Sequence, residues 1–132
     1  MLTLPPARLE AVAQLCIQEF RQFPPTQLVI VTLNRDGQLI GTTRLLQPFD
    51  RYSTEQLIRY MVQAQAASAV VADLSPWPLW SIDPSLQRLH EVDELLAQCQ
   101  AREIELLDYL CIQGLTYCSL RAETDLWYAI CA

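Results

Sequence analysis

Ser68-Ala69-Val70-Val71-Ala72 is an unbroken run of small and β-branched residues. Short and continuous rather than alternating, it has the pattern of a strand buried on both faces, in the middle of a sheet covered by helices. Upstream, Ser53 or Thr54 is placed to cap a helix running to about Ala66, with Leu57, Ile58, Met61 and Val62 inward. Downstream, Asp73 to Pro84 is a loop holding Pro76, Pro78, Pro84, Trp77 and Trp80. A second helix is predicted from about Ser85 to Arg102, with Leu89, Val92, Leu95, Leu96 and Cys99 inward. A strand from Glu103 to Ile112, a Gln113-Gly114 turn and a strand from Leu115 to Leu120 follow. A strand-helix-strand unit of this kind between hairpins suggests a mixed sheet covered by helices.

Further out, Gln27 to Leu33 and Gln38 to Leu46 flank the turn signal Asn34-Arg35-Asp36-Gly37 and read as a β-hairpin. Gly41 inside its second arm marks a bulge or a close backbone approach. Pro5-Pro6 precede an amphipathic helix from about Ala7 to Arg21, which Pro24-Pro25 stop. The tail from Thr124 to Ala132 reads as a short helix. The expected fold is α/β, a mixed β-sheet flanked by helices, in one domain over 1–132: an N-terminal helix in 1–24, a core in 25–123 and a tail in 124–132.

Composition narrows the function classes. The chain has 132 residues, 52% of them hydrophobic and 18% charged, which suits a folded domain with its own core. Fifteen acidic residues face nine basic ones, all arginine and scattered singly from Arg8 to Arg121. No basic face is available for phosphate contacts, so nucleic acid is not an expected partner. The same scatter argues against an anionic membrane surface, and no apolar run has the length to span a bilayer. The five cysteines, Cys16, Cys99, Cys111, Cys118 and Cys131, include no Cys-x-x-Cys pair. They read as reduced thiols of a cytoplasmic protein, the first four packed in the core.

Two segments carry a family resemblance. Gln65-Ala66-Ala67 leading into the Ser68–Ala72 strand, and then Asp73-Leu74-Ser75-Pro76, resembles the RadC segment in which Asn-Ala-Ala opens an apolar strand ending in His-Asn-His-Pro-Ser-Gly. Ile104-Glu105-Leu106-Leu107-Asp108-Tyr109 to Gln113-Gly114 resembles that family's Ile-x-Leu-Leu-Asp-His-x-Ile-x-Gly, and Tyr117-Cys118-Ser119-Leu120 its closing Tyr-x-Ser-Leu strand. The likeness runs from Gln27 to Glu123 and implies a JAB/MPN domain, a metalloprotease-like fold with a three-layer architecture of the cytidine-deaminase kind.

In that family the JAMM zinc site takes a His-x-His pair, a Ser, an Asp three residues later and an upstream Glu that activates water. Here the resemblance sets Asp73 and Ser75 at the two histidine positions, Ser85 at the serine and Arg88 at the aspartate. The glutamate position falls near Thr42-Thr43, and the histidine after Leu-Leu-Asp is Tyr109. The intervening loop is two residues longer than the family pattern. Catalytic zinc usually needs three protein ligands, and His90 is the chain's one histidine, so a two-histidine site within one subunit is excluded. Arg88 would set a fixed cation against a dication.

The expectation is therefore a domain with no catalytic residue, no metal and no cofactor, in which Asp73, Ser75, Ser85 and Arg88 are former metal-site positions. Asp73 reads as a turn or capping group, alone or with Asp83 too poor in oxygens for a hard cation. His90 reads as a partly exposed polar residue. Trp77 and Trp80 either fill the space the metal site left or form a patch for a protein partner. The functional reading is a pseudoenzyme that binds a protein partner or a second copy of itself as a scaffold. The alternatives are an enzyme with a rebuilt, non-zinc site in the same cleft, and a DNA-repair-associated protein of the RadC type.

Overall fold

The computed structural model describes residues 6–22, 26–74 and 85–131, without the side chains of 6–7, 22, 85–87 and 129–131. Five strands form one mixed sheet: β1 (Leu28–Leu33), β2 (Leu39–Leu45), β3 (Ser68–Leu74), β4 (Glu105–Gln113) and β5 (Thr116–Ser119), in the order β2-β1-β3-β4-β5. Only β3 and β4 are parallel; the other three pairings are antiparallel. The helices are α1 (Pro6–Gln22), α2 (Thr54–Gln63), α3 (Ser85–Ala101), α4 (Leu120–Glu123) and α5 (Leu126–Cys131), with one 3-10 turn at Phe49–Arg51.

The two faces of the sheet are packed separately. On one, Ala13, Cys16, Ile17 and Phe20 of α1 meet Val29, Val31, Val70, Ala72, Leu110 and Ile112. On the other, residues of α2, α3 and α5 meet Leu28, Ile30, Val71, Leu106 and Tyr109. The central position expected for Ser68–Ala72 follows directly, since every residue from Ser68 to Asp73 is buried. The first helix belongs to the core: it closes one face, and Glu10 at its start accepts a hydrogen bond from the Tyr117 hydroxyl at 2.7 Å.

Local chemistry sets the element ends. Ser53 caps α2 reciprocally: its Oγ accepts from the Gln56 N–H at 3.1 Å, and its own N–H donates to Gln56 Oε1 at 2.8 Å. The β4-β5 hairpin turns through Gly114, whose φ of +62° suits the first central residue of a two-residue hairpin turn. In the tail, Trp127 is buried and donates its indole N–H to the Leu106 carbonyl at 2.7 Å, tying α5 to the core.

Two bulges re-aim side chains. The first lies beside Gly41, where Thr32 pairs with Gly41 and Leu33 with Leu39, leaving Ile40 extra. A Cβ on Gly41 would meet nothing within 4 Å, so of the two readings of this glycine the bulge holds and the close approach does not. The second lies in β4. Ala69 pairs with Leu106 and Val70 with Asp108, so Leu107 is the extra residue. Strict alternation from Leu106 would put Tyr109 on the α1 face; the bulge turns it onto the α2/α3 face instead.

Candidate functional site

Asp73 stands at the carboxyl end of β3, on the α2/α3 face, with 3% of its surface exposed. The Tyr109 hydroxyl donates to its Oδ2 at 2.6 Å. Arg88, one turn into α3, forms an ion pair with the same oxygen through Nη1. The three residues lie far apart in the chain. The parallel pairing of β3 and β4 brings Asp73 level with Cys111, close to Tyr109, and the Leu107 bulge gives Tyr109 the right face.

Phe49, in the 3-10 turn before α2, closes the group from the side. Its ring meets the Tyr109 ring edge-on, with centroids 5.1 Å apart and planes at 69°, and the Arg88 guanidinium carbon lies 5.7 Å from its centroid. An arginine here is bound by a carboxylate at one end and rests against an aromatic ring. Burial works against the charged guanidinium, but the Tyr109 and Asp73 groups, with Cys111 and Glu91, outweigh it and hold Arg88 more firmly protonated than usual. Burial, and then the Asp73 charge, push the Tyr109 phenol well above its ordinary range, so it serves as a donor.

The structure thus brings Asp73 and Arg88 together. Asp73, read from its place at a strand end as a turn or capping group, is one half of a partly buried ion pair. Ser85 is the first residue of α3, and its side chain lies outside the described residues, as do Ser75, Trp77, Trp80 and Asp83. Thr43 lies opposite Ile30, which lies opposite Val71, so it shares Asp73's face two strands away; Thr42 points to the other face. His90 is exposed on α3.

These residues do not fit zinc. The one carboxylate at the first histidine position already accepts from a phenol and pairs with a guanidinium. The residue at the aspartate position is that guanidinium, a cation that cannot lose its proton and has no lone pair to give.

A second buried carboxylate stands next to Tyr109 in sequence and serves a different end. Asp108 follows the bulge residue and is 3% exposed. Its Oδ1 accepts from the Tyr109 N–H at 2.7 Å and the Arg121 N–H at 3.1 Å, and its Oδ2 from the Ser119 hydroxyl at 2.5 Å. Ser119 Oγ accepts in turn from the Ala122 N–H at 3.2 Å, and Arg121 Nη1 donates to the Leu107 carbonyl at 2.9 Å. Burial raises the Asp108 carboxyl above the ordinary range, with the Ser119, Arg121 and Tyr109 donors pulling against it. The network satisfies a main-chain donor beside the bulge and fixes the corner from β5 into α4.

The cysteines with described side chains, Cys16, Cys99, Cys111 and Cys118, are all buried, as expected of core residues. Burial pushes the Cys16 and Cys99 thiols up to about 12. The residue that sequence reasoning missed is Phe49. Its signal was a large apolar side chain in an otherwise polar loop, Gln47-Pro48-Phe49-Asp50-Arg51, just before a capped helix.

No helix of the described residues is long and apolar enough to cross a membrane. No curated protein matches the chain. The family model for the RadC-like JAB domain matches residues 7–126, so the likeness takes in α1 as well as the sheet. With that match over most of its length, and with the mixed sheet, Leu-Leu-Asp strand and Tyr-x-Ser-Leu hairpin arm in place, the chain belongs to the RadC-like JAB domain family.

Proposed function

We propose that this chain is a non-catalytic RadC-like JAB domain that acts as a protein-binding or scaffold module. The observation that carries this reading is the Asp73–Arg88 ion pair at positions where the family resemblance sets metal ligands. A guanidinium supplies the positive charge there, fixed to the chain and without the open coordination position that metal-assisted hydrolysis needs. The Tyr109 hydroxyl and the Phe49 ring take up further space beside it.

Support for a binding role comes from the sheet edge. β2 is an outer strand carrying Leu39 and Ile40 at 55% and 44% exposure, with Leu46 at 60% just beyond it. Large apolar groups on an edge strand suit a protein partner better than solvent. A net charge of −6 weighs against a role on DNA, the reading that the RadC association with repair would otherwise suggest.

The test is metal content joined to activity. The purified chain, loaded with zinc and then desalted, is expected to retain far less than one equivalent and to cleave no peptide or isopeptide bond. Stoichiometric zinc, or cleavage that a chelator abolishes and zinc restores, would refute the reading. Capture of a partner lost on Leu39→Glu/Ile40→Glu substitution would support the binding half.

A further inference from the structure

Cys111 in β4 and Cys118 in β5 are direct cross-strand partners in the antiparallel register. Both side chains lie in the core cluster on the α2/α3 face, and both are present as thiols. Counting back from the two-residue turn, Gln113–Thr116 and Cys111–Cys118 are the hydrogen-bonded pairs of the ladder, where Cα atoms stand about 5.5 Å apart. That separation is within disulfide reach, roughly 4.4–6.8 Å, but Cβ atoms in such pairs start near 5 Å and must close to about 3.8 Å. A bond made there is strained, and strained disulfides are the readily reduced ones.

We propose that Cys111 and Cys118 form a reversible, oxidation-sensitive thiol pair that closes to an intramolecular disulfide with a small-molecule disulfide such as oxidised glutathione. Access comes from the position of Cys118. It lies in a four-residue strand at the edge of the sheet, next to a turn carrying the exposed Leu115. Such an edge opens locally at far lower cost than the central strands. Cys16 and Cys99, wholly buried on the inner faces of α1 and α3, have no comparable route.

The chemistry balances in two exchanges. Cys118 gives up its proton, and its sulfur attacks one sulfur of oxidised glutathione; the S–S bond breaks and one glutathione leaves as thiolate, which takes a proton. Cys111 then gives up its proton and attacks the Cys118 sulfur of the mixed disulfide, expelling the second glutathione. The protein dithiol is oxidised by two electrons, and one glutathione disulfide is reduced to two thiols. Burial, Glu123 and Asp108 hold the Cys118 thiol up at about 11, so the first exchange quickens as pH rises. Closure ties the β5 edge to β4 at Cys111, the residue level with Asp73.

The experiment uses the folded full chain, incubated with oxidised glutathione at mildly alkaline pH, quenched in acid and read by intact mass and non-reducing peptide mapping. The expected result is the loss of two of the five thiols, a mass lower by two hydrogens, and a single cross-link between Cys111 and Cys118, reversed by excess reduced glutathione. Cys111→Ser should instead accumulate a glutathione adduct at Cys118. A cross-link that runs to Cys131 or any other cysteine overturns the proposal. So does a folded chain that keeps all five thiols while the urea-unfolded chain reacts. The outcome is independent of whether the domain binds zinc.

Discussion

Asp73 and Asp108 are equally buried, sit on adjacent strands and both contact Tyr109, yet they are held in opposite ways. Asp108 is held by neutral donors, two main-chain N–H groups and the Ser119 hydroxyl, with the Arg121 charge close by. Asp73 accepts from two side chains, the Arg88 guanidinium and the Tyr109 phenol. The first arrangement secures the backbone at a bulge and a strand-to-helix corner. The second joins the end of one strand, the start of a helix and the neighbouring strand, where the resemblance sets the family's metal ligands. One carboxylate therefore anchors main chain, while the other ties side chains of separate elements together.

That contrast is open to direct attack. Asp108→Ala should have the largest effect, a loss of about 3 kcal/mol in urea unfolding, because it leaves buried donors without their acceptor. Asp108→Asn keeps the Oδ1 acceptor and should recover most of that loss. Its dependence on pH has a defined sign. The folded-state carboxyl is raised, so its contribution is fully present below the unfolded value of about 4 and is lost as pH rises through the folded value. The stability difference between Asp108→Asn and wild type should therefore move in the variant's favour as pH climbs through that window. A difference that stays flat would mean that the carboxyl is not raised by burial.

Arg88→Ala should come next. Removing one partner of a fully buried pair costs about 3–5 kcal/mol, but the Arg88 side chain is 27% exposed, so about 2 kcal/mol is expected. The matching Asp73→Asn/Arg88→Met double substitution should lose less than the two single changes added together, and a double-mutant cycle measures this coupling. Simple additivity would break the claim that the two residues act as a pair. Tyr109→Phe should have the smallest effect, about 1 kcal/mol for one hydroxyl hydrogen bond. If it instead matched Asp108→Ala, Tyr109 and not the Asp108 network would be the more important anchor.

Much of the layout was legible from local pattern. The Ser68–Ala72 run reads as central because both faces are apolar, and the structure buries both. The Ser53 cap, the Gly114 turn and the apolar stripes of α1, α2 and α3 are short-range chemistry, which any reading of spacing can reach. The site was legible only in part. Asp73 and Arg88 stand out as misfits against the family motif, but nothing local says that they meet. Phe49 and Trp127 looked like a loop residue and a tail residue, and both are core. Burial of a single aromatic depends on what packs over it, and spacing along the chain carries no record of that.

One conclusion required no coordinates: a chain with a single histidine does not assemble a two-histidine metal site within one subunit, since ligand count is a matter of composition. The apolar periods likewise located the five strands and α1, α2 and α3, but not the 3-10 turn or α4, whose first residue Leu120 they put in a strand. Only the tertiary structure decided what surrounds Asp73. One extra residue in β4 reverses the face of every side chain beyond it, and so it delivers Tyr109 to Asp73 while the parallel crossover delivers Arg88. A bulge is a property of two strands in register, not of either strand alone, and it exists only once both are paired.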